Sequence, residues 1–241
     1  MNALKILIED EHLIAVQKMA GELVVADRFG KEKNILLHRV GEHLRAQGHQ
    51  KDESGRDLYP VHRLDRDTSG VVLFAKNQEA HRSLSQMFES RQMKKTYWAF
   101  AVGNPAWTFC SSHIQLSRAE GKRGRGRALI DISRGKPAET DFLVKERYGD
   151  ISWIEAYPHT GRLHQIRIHL RALGHPLLAD EDYGIENWKS TRFPELKVDR
   201  MPLHARLLEF THPVTGKAVE ISCPLDDELR TLFNTLKQAL Q

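Results

Sequence analysis

The chain has 241 residues, 40% of them hydrophobic, enough for a sizeable core in one large domain or two small ones. A net charge of +4 permits a polyanionic partner without demanding one, and the two cysteines, Cys110 and Cys223, exclude a disulfide framework or a CxxC metal signature and read as structural thiols. No stretch approaches the ~18 consecutive apolar residues of a membrane span, and the start of the chain lacks the pattern of a secretory signal, so a soluble, cytoplasmic protein is expected.

The elements follow in chain order. Lys5 to Glu9 and Leu13 to Gln17 read as strands around an Asp10–Glu11 turn. Asn34 to Gln47 reads as a helix, with Leu36, Leu37, Val40 and Leu44 as its apolar stripe and Gly48 as its stop. Residues 48–57 are polar and loop-like, and Val71 to Ala75 is a short apolar run that predicts a buried strand. A helix follows, capped by Asn77, with Ala80, Leu84, Met87 and Phe88 on one face. Thr96 to Val102 is a strand, and 142–147 with 151–157 form a hairpin around Gly149–Asp150. Leu163, Ile166, Leu170 and Leu173 have helical spacing; Thr160 and Gly161 open that helix and Gly174–His175–Pro176 closes it. Residues 204–210 and 217–222 read as strands around Thr215–Gly216. The last helix starts near Asp226, with Leu229, Leu232, Phe233, Leu236 and Leu240 as its buried stripe. Hairpins outnumber strict strand–helix alternation. The expectation is an α+β fold, a mainly antiparallel central sheet with flanking helices, in a single domain over residues 1–241.

Three segments carry charge or chemistry. Residues 117–127 hold Arg118, Lys122, Arg123, Arg125 and Arg127 against one acid, Glu120, with Gly121, Gly124 and Gly126 between them. A mobile cationic loop of this kind suits a phosphate backbone better than plain solvent exposure. Residues 62–70, HRLDRDTSG, put Asp65 between a turn-rich loop and a buried strand, where a rigid element holds a reactive group best. Arg63 and Arg66 flank this acid and favour its ionised form, which acts as a nucleophile or stabilises a developing cation. An isolated Asp of this kind would more simply cap backbone amides or pair with a surface arginine. The third segment, residues 158–183, shifts that balance. In it Arg162, Gln165, Arg167 and His169 share turns with buried leucines. Arg167 follows Ile166 beside the apolar stripe, so it is expected half-buried and facing an anion, either Asp65 or an RNA phosphate. His159, His164, His169 and His175 do not have metal-ligand spacings and read as polar packing or phosphate contacts; no metal is expected.

HRLDRDTSG resembles the signature of the RluA-type pseudouridine synthase family, HRLD followed by two variable residues and TSG. The later segment, TGRLHQIRIH followed by LGHP, resembles the family's TGRxHQIRxH motif. KKTYWAFAVG (94–103), GKPAETDFLV (135–144) and PLHARLLEFTHPVTG (202–216) resemble three weaker family segments, and the likeness runs in order from about Ile6 to Pro224. Three positions depart from the pattern. Lys18 is followed by Met19 rather than Pro, which should alter a turn; Leu163 replaces a Thr; and Ala179–Asp180 replaces Gly-Asp.

The resemblance implies the pseudouridine synthase fold, in a stand-alone member without an S4-type RNA-binding segment. It implies an isomerase that converts uridine in rRNA or tRNA to pseudouridine, with no cofactor because no redox change occurs. Asp65 would be the nucleophile or the acid–base group at the ribose. Tyr97 would stack on the uracil and is a candidate base, and Arg167 would pair with Asp65. Arg63 would hold the flipped-out nucleotide. His62, Arg66, Arg162, His164, Gln165, Lys122, Arg123, Arg125 and Arg127 complete the expected RNA contacts. The partner is structured RNA, with no membrane and no obligate protein partner, so a monomer is expected. A non-catalytic RNA chaperone would keep the basic loop without needing Asp65 or Arg167. A nucleoside hydrolase or glycosidase would want two opposed carboxylates, and Asp67, two residues from Asp65 in a tight turn, gives no sign of such a pair.

Overall fold

The computed structural model describes residues 3–26, 35–51, 55–120 and 126–238. The chain packs as two compact units, one formed by residues 1–94 and 205–224, the other by 95–204 and 225–241.

The first unit is built on β1 (Ile6–Glu9), β2 (Leu13–Lys18), β3 (Tyr59–Pro60) and β4 (Ser69–Ala75), with β10 (Leu203–Thr211) and β11 (Ala218–Ser222) contributed by the later segment. β1 pairs with β2, β2 and β3 with β4, and β10 with β11, all antiparallel. Every residue of β2 and β4 is buried. Strands buried on both faces read as continuous apolar runs rather than alternation, which is why VVLFA stands out in the sequence. α1 (Leu36–Ala46) buries Leu36, Val40 and Leu44. α2 (Gln78–Glu89) is capped as expected: the Asn77 side chain accepts from the Ala80 N–H at 2.9 Å, satisfying one of the orphan donors of the first turn.

The second unit contains β5 (Lys94–Val102), β6 (Phe109–Glu120), β7 (Gly126–Ile130), β8 (Lys136–Arg147) and β9 (Ile151–Pro158), with α3 (Gln165–Ala172) and α4 (Asp227–Gln238). The strand order is β5-β9-β8-β6-β7, each neighbour antiparallel. α3 packs on a core of Ala99, Ala101, Phe142, Val144, Ile154 and Ala156 through Ile166 and Leu170. α4 buries Leu229, Leu232 and Leu236 against Phe100, Ile151 and Trp153, with the partly buried Trp98 and Phe233 beside them. Trp98 and Trp153 meet edge-on at 4.5 Å, and the Asp226 carboxylate caps α4 by accepting from the Leu229 N–H at 3.1 Å. Leu240, expected in the α4 stripe, lies outside the described residues.

Two expectations need correction. The cationic segment is not a loop from 117 to 127. Residues 117–120 end β6 and 126–127 begin β7, with Arg118 opposite Ala128 and Ala119 opposite Arg127. Only 121–125 lie between the strands, and Lys122, Arg123 and Arg125 fall outside the described residues. β6 and β7 escape a reading for apolar runs because β6 intersperses its few apolar residues with Ser, His, Gln and Arg, and β7 is only five residues long with Ala128 alone buried. The second correction concerns α3, which begins at Gln165 rather than at Thr160. His164 sits in the left-handed region with φ 51°. The Gln165 side chain accepts from the Thr160 hydroxyl at 2.7 Å and from the Arg162 N–H at 2.9 Å, so residues 160–164 form a turn folded back onto the helix start.

Candidate active site

Asp65 belongs to the first unit, and the way its loop is held follows from a residue far away in sequence. Lys18 ends β2 opposite Gly70 of β4 and is fully buried. Its ammonium donates to the carbonyls of Arg66 at 2.7 Å, Thr68 at 2.8 Å and Met19 at 3.0 Å. A buried cation must find several acceptors to offset its lost hydration, and here the acceptors are the backbone just after Asp65. The Arg66 carbonyl also accepts from the Gly21 N–H at 2.9 Å, and the Thr68 N–H donates to the Asp65 carbonyl at 3.2 Å. The peptide on which Asp65 rides is therefore fixed from both sides, while its side chain stays half-buried. Met19, where the family pattern has Pro, leaves this clamp in place.

Two further residues of HRLDRDTSG act on the backbone. Gly70 has φ 125°, and a Cβ there would lie 2.4 Å from the Ala205 carbonyl oxygen and 2.5 Å from its nitrogen. Only glycine fits that close approach. His62 Nε2 accepts from the Leu73 N–H at 2.9 Å where β3 has peeled away from β4, and its ring stacks on Phe88 at 4.8 Å. The imidazole thus stands in for a missing strand carbonyl, which fixes Nε2 as the unprotonated nitrogen. Of the RNA contacts expected in this segment, Arg63 is exposed and Arg66 half-buried, whereas His62 is tied into the protein.

Tyr97 and Arg167 belong to the second unit. Tyr97 lies on β5 opposite Ala156 and packs, half-buried, against the cluster that contains Ile166 and Leu170. Arg167 is 5% exposed, so it is more deeply buried than its place beside the stripe suggested. Its guanidinium forms a fork with Asp180, Nε to Oδ2 at 2.8 Å and a terminal nitrogen to Oδ1 at 2.6 Å. It also reaches Asp182 at 2.8 Å. Paired, parallel hydrogen bonds of this kind are the strongest arrangement available to an arginine. Burial pushes the Asp180 carboxyl up, but Arg167 and the N–H groups of Tyr183 and Asp182 outweigh it and hold it below the usual value. Both acids stand in the segment 158–183, and the turn after α3 brings them back to Arg167.

Tyr183 completes this cluster. Its hydroxyl donates to the Ala128 carbonyl at 3.1 Å and accepts from the Ala128 N–H at 2.8 Å. It also lies 3.0 Å from His164 Nδ1. Because the hydroxyl proton goes to Ala128, Nδ1 of His164 is the donor. The guanidinium carbons of Arg127 and Arg167 each lie 5.0 Å from the Tyr183 ring centre, a cation–π distance.

Among the other expected contacts, Arg162 is exposed and bonds the Pro137 carbonyl at 3.1 Å. Gln165 is buried, and its amide donates to the Glu139 carbonyl and the Thr140 hydroxyl, both at 2.9 Å. Both its amide hydrogens and both its oxygen contacts are used within the protein, so it anchors the 160–164 turn. His159 pairs with Asp141 at 2.8 Å and His175 with the Val102 carbonyl at 3.0 Å.

Two predictions arise here. Ala179 has φ 48°, at the place where the family pattern has glycine. Ala179→Gly removes left-handed strain of roughly 1–2 kcal/mol and adds back unfolded-chain entropy, for a net gain of about 0.5–1 kcal/mol in denaturant melts. His169 is fully buried, with neither ring nitrogen hydrogen-bonded among the described residues. Burial first, and the charge of His113 second, push its imidazole down to about 4. The unfolded chain, with its value near 6.5, binds this proton before the folded one does. Stability is therefore full above about pH 6.5 and falls as pH drops toward 4, by up to ~3 kcal/mol. His169→Leu should flatten that acid limb in melts taken across the range; an unchanged limb would assign it to other groups.

Comparison with known proteins gives the family. The family model described as RNA pseudouridylate synthase matches residues 12–172. Ribosomal large subunit pseudouridine synthase C of Escherichia coli K12 is 36% identical over 236 residues, covering 97% of this chain and 70% of that protein. The protein of the same name from Haemophilus influenzae is 35% identical over 236 residues, covering 98% and 69%. Human RNA Pseudouridylate Synthase Domain Containing 1 superposes with a TM-score of 0.68 at 27% identity, covering 98% of this chain and 95% of that one. Human RNA Pseudouridylate Synthase Domain Containing 4 shares the fold, with a TM-score of 0.75 at 23% identity over 97% and 93% of the two chains. With the HRLDRDTSG loop and the Arg167 helix both inside the matched region or its continuous alignment, this chain belongs to the RNA pseudouridylate synthase family.

Proposed function

We propose that this chain isomerises uridine to pseudouridine in structured RNA, ribosomal RNA in the first instance, with Asp65 as the reacting carboxylate. The observation that carries the reading is the buried Lys18 ammonium spent on the carbonyls of Arg66 and Thr68. A protein that only binds RNA has no need to fix the backbone around one carboxylate in this way, whereas a reacting group must be held to a fraction of an ångström.

The target uridine leaves its stack at a cost of a few kcal/mol, less in a loop. Asp65 acts at the ribose, as nucleophile at C1′ or as acid–base group, while the C1′–N1 bond breaks. The freed uracil turns so that C5 faces C1′; the C5–C1′ bond forms, C5 gives up its proton, and N1 is left carrying one. Tyr97 supplies the ring on which the detached uracil rests and a hydroxyl able to take the C5 proton. Arg167 supplies the counter-charge to Asp65, and Arg63 helps hold the flipped-out nucleotide. No cofactor takes part, because nothing is oxidised or reduced. The protein works as a monomer in the cytoplasm; among the described residues no helix is long and apolar enough to cross a membrane.

The test is a map of pseudouridines in total RNA from cells with and without the gene. A site lost from ribosomal RNA supports the proposal. A site lost from transfer RNA moves the substrate, and an unchanged map overturns it.

A further inference from the structure

The Asp65 loop rests on a turn that is itself tied to α1. Gly21, with φ 81°, donates to the Arg66 carbonyl at 2.9 Å, and the Met19 carbonyl takes one of the three bonds of the Lys18 ammonium. Farther along the same stretch, the carbonyls of Leu23 and Val24 accept from the N–H groups of Leu36 and Leu37 at 2.8 and 3.1 Å. They satisfy two of the orphan donors at the start of α1, where Ile35 offers no side-chain cap. Between these two attachments stands Glu22, 2% exposed. One of its carboxylate oxygens meets the Arg39 guanidinium of α1 at 2.5 Å, and the other lies 3.4 Å from the Met19 N–H. A carboxylate buried this deeply has to be held by such partners. The N–H it faces exists because Met19 stands where the family pattern has proline. Proline would fix φ at about −65° and remove that donor. Methionine does neither, which leaves the turn to another restraint.

We infer that Glu22 is a positioning residue for Asp65: clasped by Arg39, it holds the 19–22 turn under the Asp65 loop and replaces the restraint that a proline would give. The inference rests on the reading of Asp65 as the reacting carboxylate and adds to it the ion pair that steadies its floor. Glu22 acts through the backbone, by way of the Gly21 N–H on the Arg66 carbonyl and the Met19 carbonyl on the Lys18 ammonium. Loosening that floor costs turnover rather than affinity. RNA binding is shared among many phosphate contacts, whereas a reacting carboxylate must be held to a fraction of an ångström.

The test is pseudouridine formation by Glu22→Gln with and without Met19→Pro, measured well below the melting temperature of every variant. Glu22→Gln keeps the shape of the side chain and removes the charge that grips Arg39. Met19→Pro suits the backbone before it, because Lys18 is a strand residue and a proline asks for an extended predecessor. Glu22→Gln should lower kcat about tenfold and leave KM for RNA within about twofold. Met19→Pro alone should change kcat less than about twofold, and in the Glu22→Gln background it should recover most of the loss, because coupled residues are not additive. An equal effect of Glu22→Gln in both backgrounds overturns the inference, as does a lowered melting temperature with kcat unmoved, or a rise in KM alone. Should Glu22→Gln fail to fold, Arg39→Met opens the same link from the α1 side. Hydrogen exchange of the Gly21 amide should then quicken about tenfold while the β2 amides keep their protection, and an unchanged Gly21 amide contradicts the inference. Failure of the wider reading looks different, since Asp65→Asn would then turn over normally whatever Glu22→Gln did.

Discussion

Replacing Asp65 with Asn should leave RNA affinity within about threefold of the native value and lower pseudouridine formation by at least ~10³-fold. The substitution is nearly isosteric. The clamp that shapes the loop runs from Lys18 to the carbonyls of Arg66 and Thr68, not to the side chain, so the backbone should keep its form. An amide oxygen is a poor nucleophile and carries no charge to balance a developing cation at C1′. Binding is read by titrating labelled RNA at fixed salt, and product by separating nucleosides after digestion. Normal turnover by the variant would remove Asp65 from the chemistry. Weak binding with a lowered melting temperature would instead show that the side chain shapes the loop.

Asp180→Ala should be the most damaging change in the second unit. Asp180 is buried and gives Arg167 its fork of hydrogen bonds. It also accepts from the N–H groups of Asp182 and Tyr183, both at 3.0 Å. Removing one partner of a buried ion pair strands the other, at a cost of 3–5 kcal/mol when nothing compensates. Asp182 retains part of the guanidinium, so about 3 kcal/mol is expected, or roughly 6–12 °C in melting temperature for a chain of this size. Arg167→Met in the same background should restore much of that loss, because the stranded charge is gone, yet leave the protein without pseudouridine formation. A double variant as unstable as Asp180→Ala alone would mean that the backbone bonds to Asp180, rather than the arginine, carry the stability.

What could be read from the sequence follows the range of the interactions. Asn77 was legible because its partner, the Ala80 amide, is three residues away. VVLFA was legible because burial on both faces leaves an unbroken apolar run. The clamp made by Lys18 is not legible in the sequence, since its partners lie 48 and 50 residues on and are carbonyls, which no side-chain pattern reveals. The demand of Arg167 for an anion was readable from its place beside Ile166. Its partners in the second unit, Asp180 and Asp182, depend on how the chain reverses after α3, which no local pattern fixes. The start of α3 was misplaced because Gln165, a good helix former, uses its side chain to hold the preceding turn. Residues 117–127 read as a loop because their glycines are weak strand formers, and the bonds to Tyr183 that fix the edge of β7 cross 55 residues.

The most direct test of the central claim follows one atom. Joining C1′ to C5 expels the C5 hydrogen of uridine, so RNA labelled with tritium at that carbon should lose one label to water for each pseudouridine made by the purified protein, with no free uracil. Free uracil in step with loss of uridine would make the chain a hydrolase, and full retention of label on RNA it binds would make it a binder; either result contradicts the account.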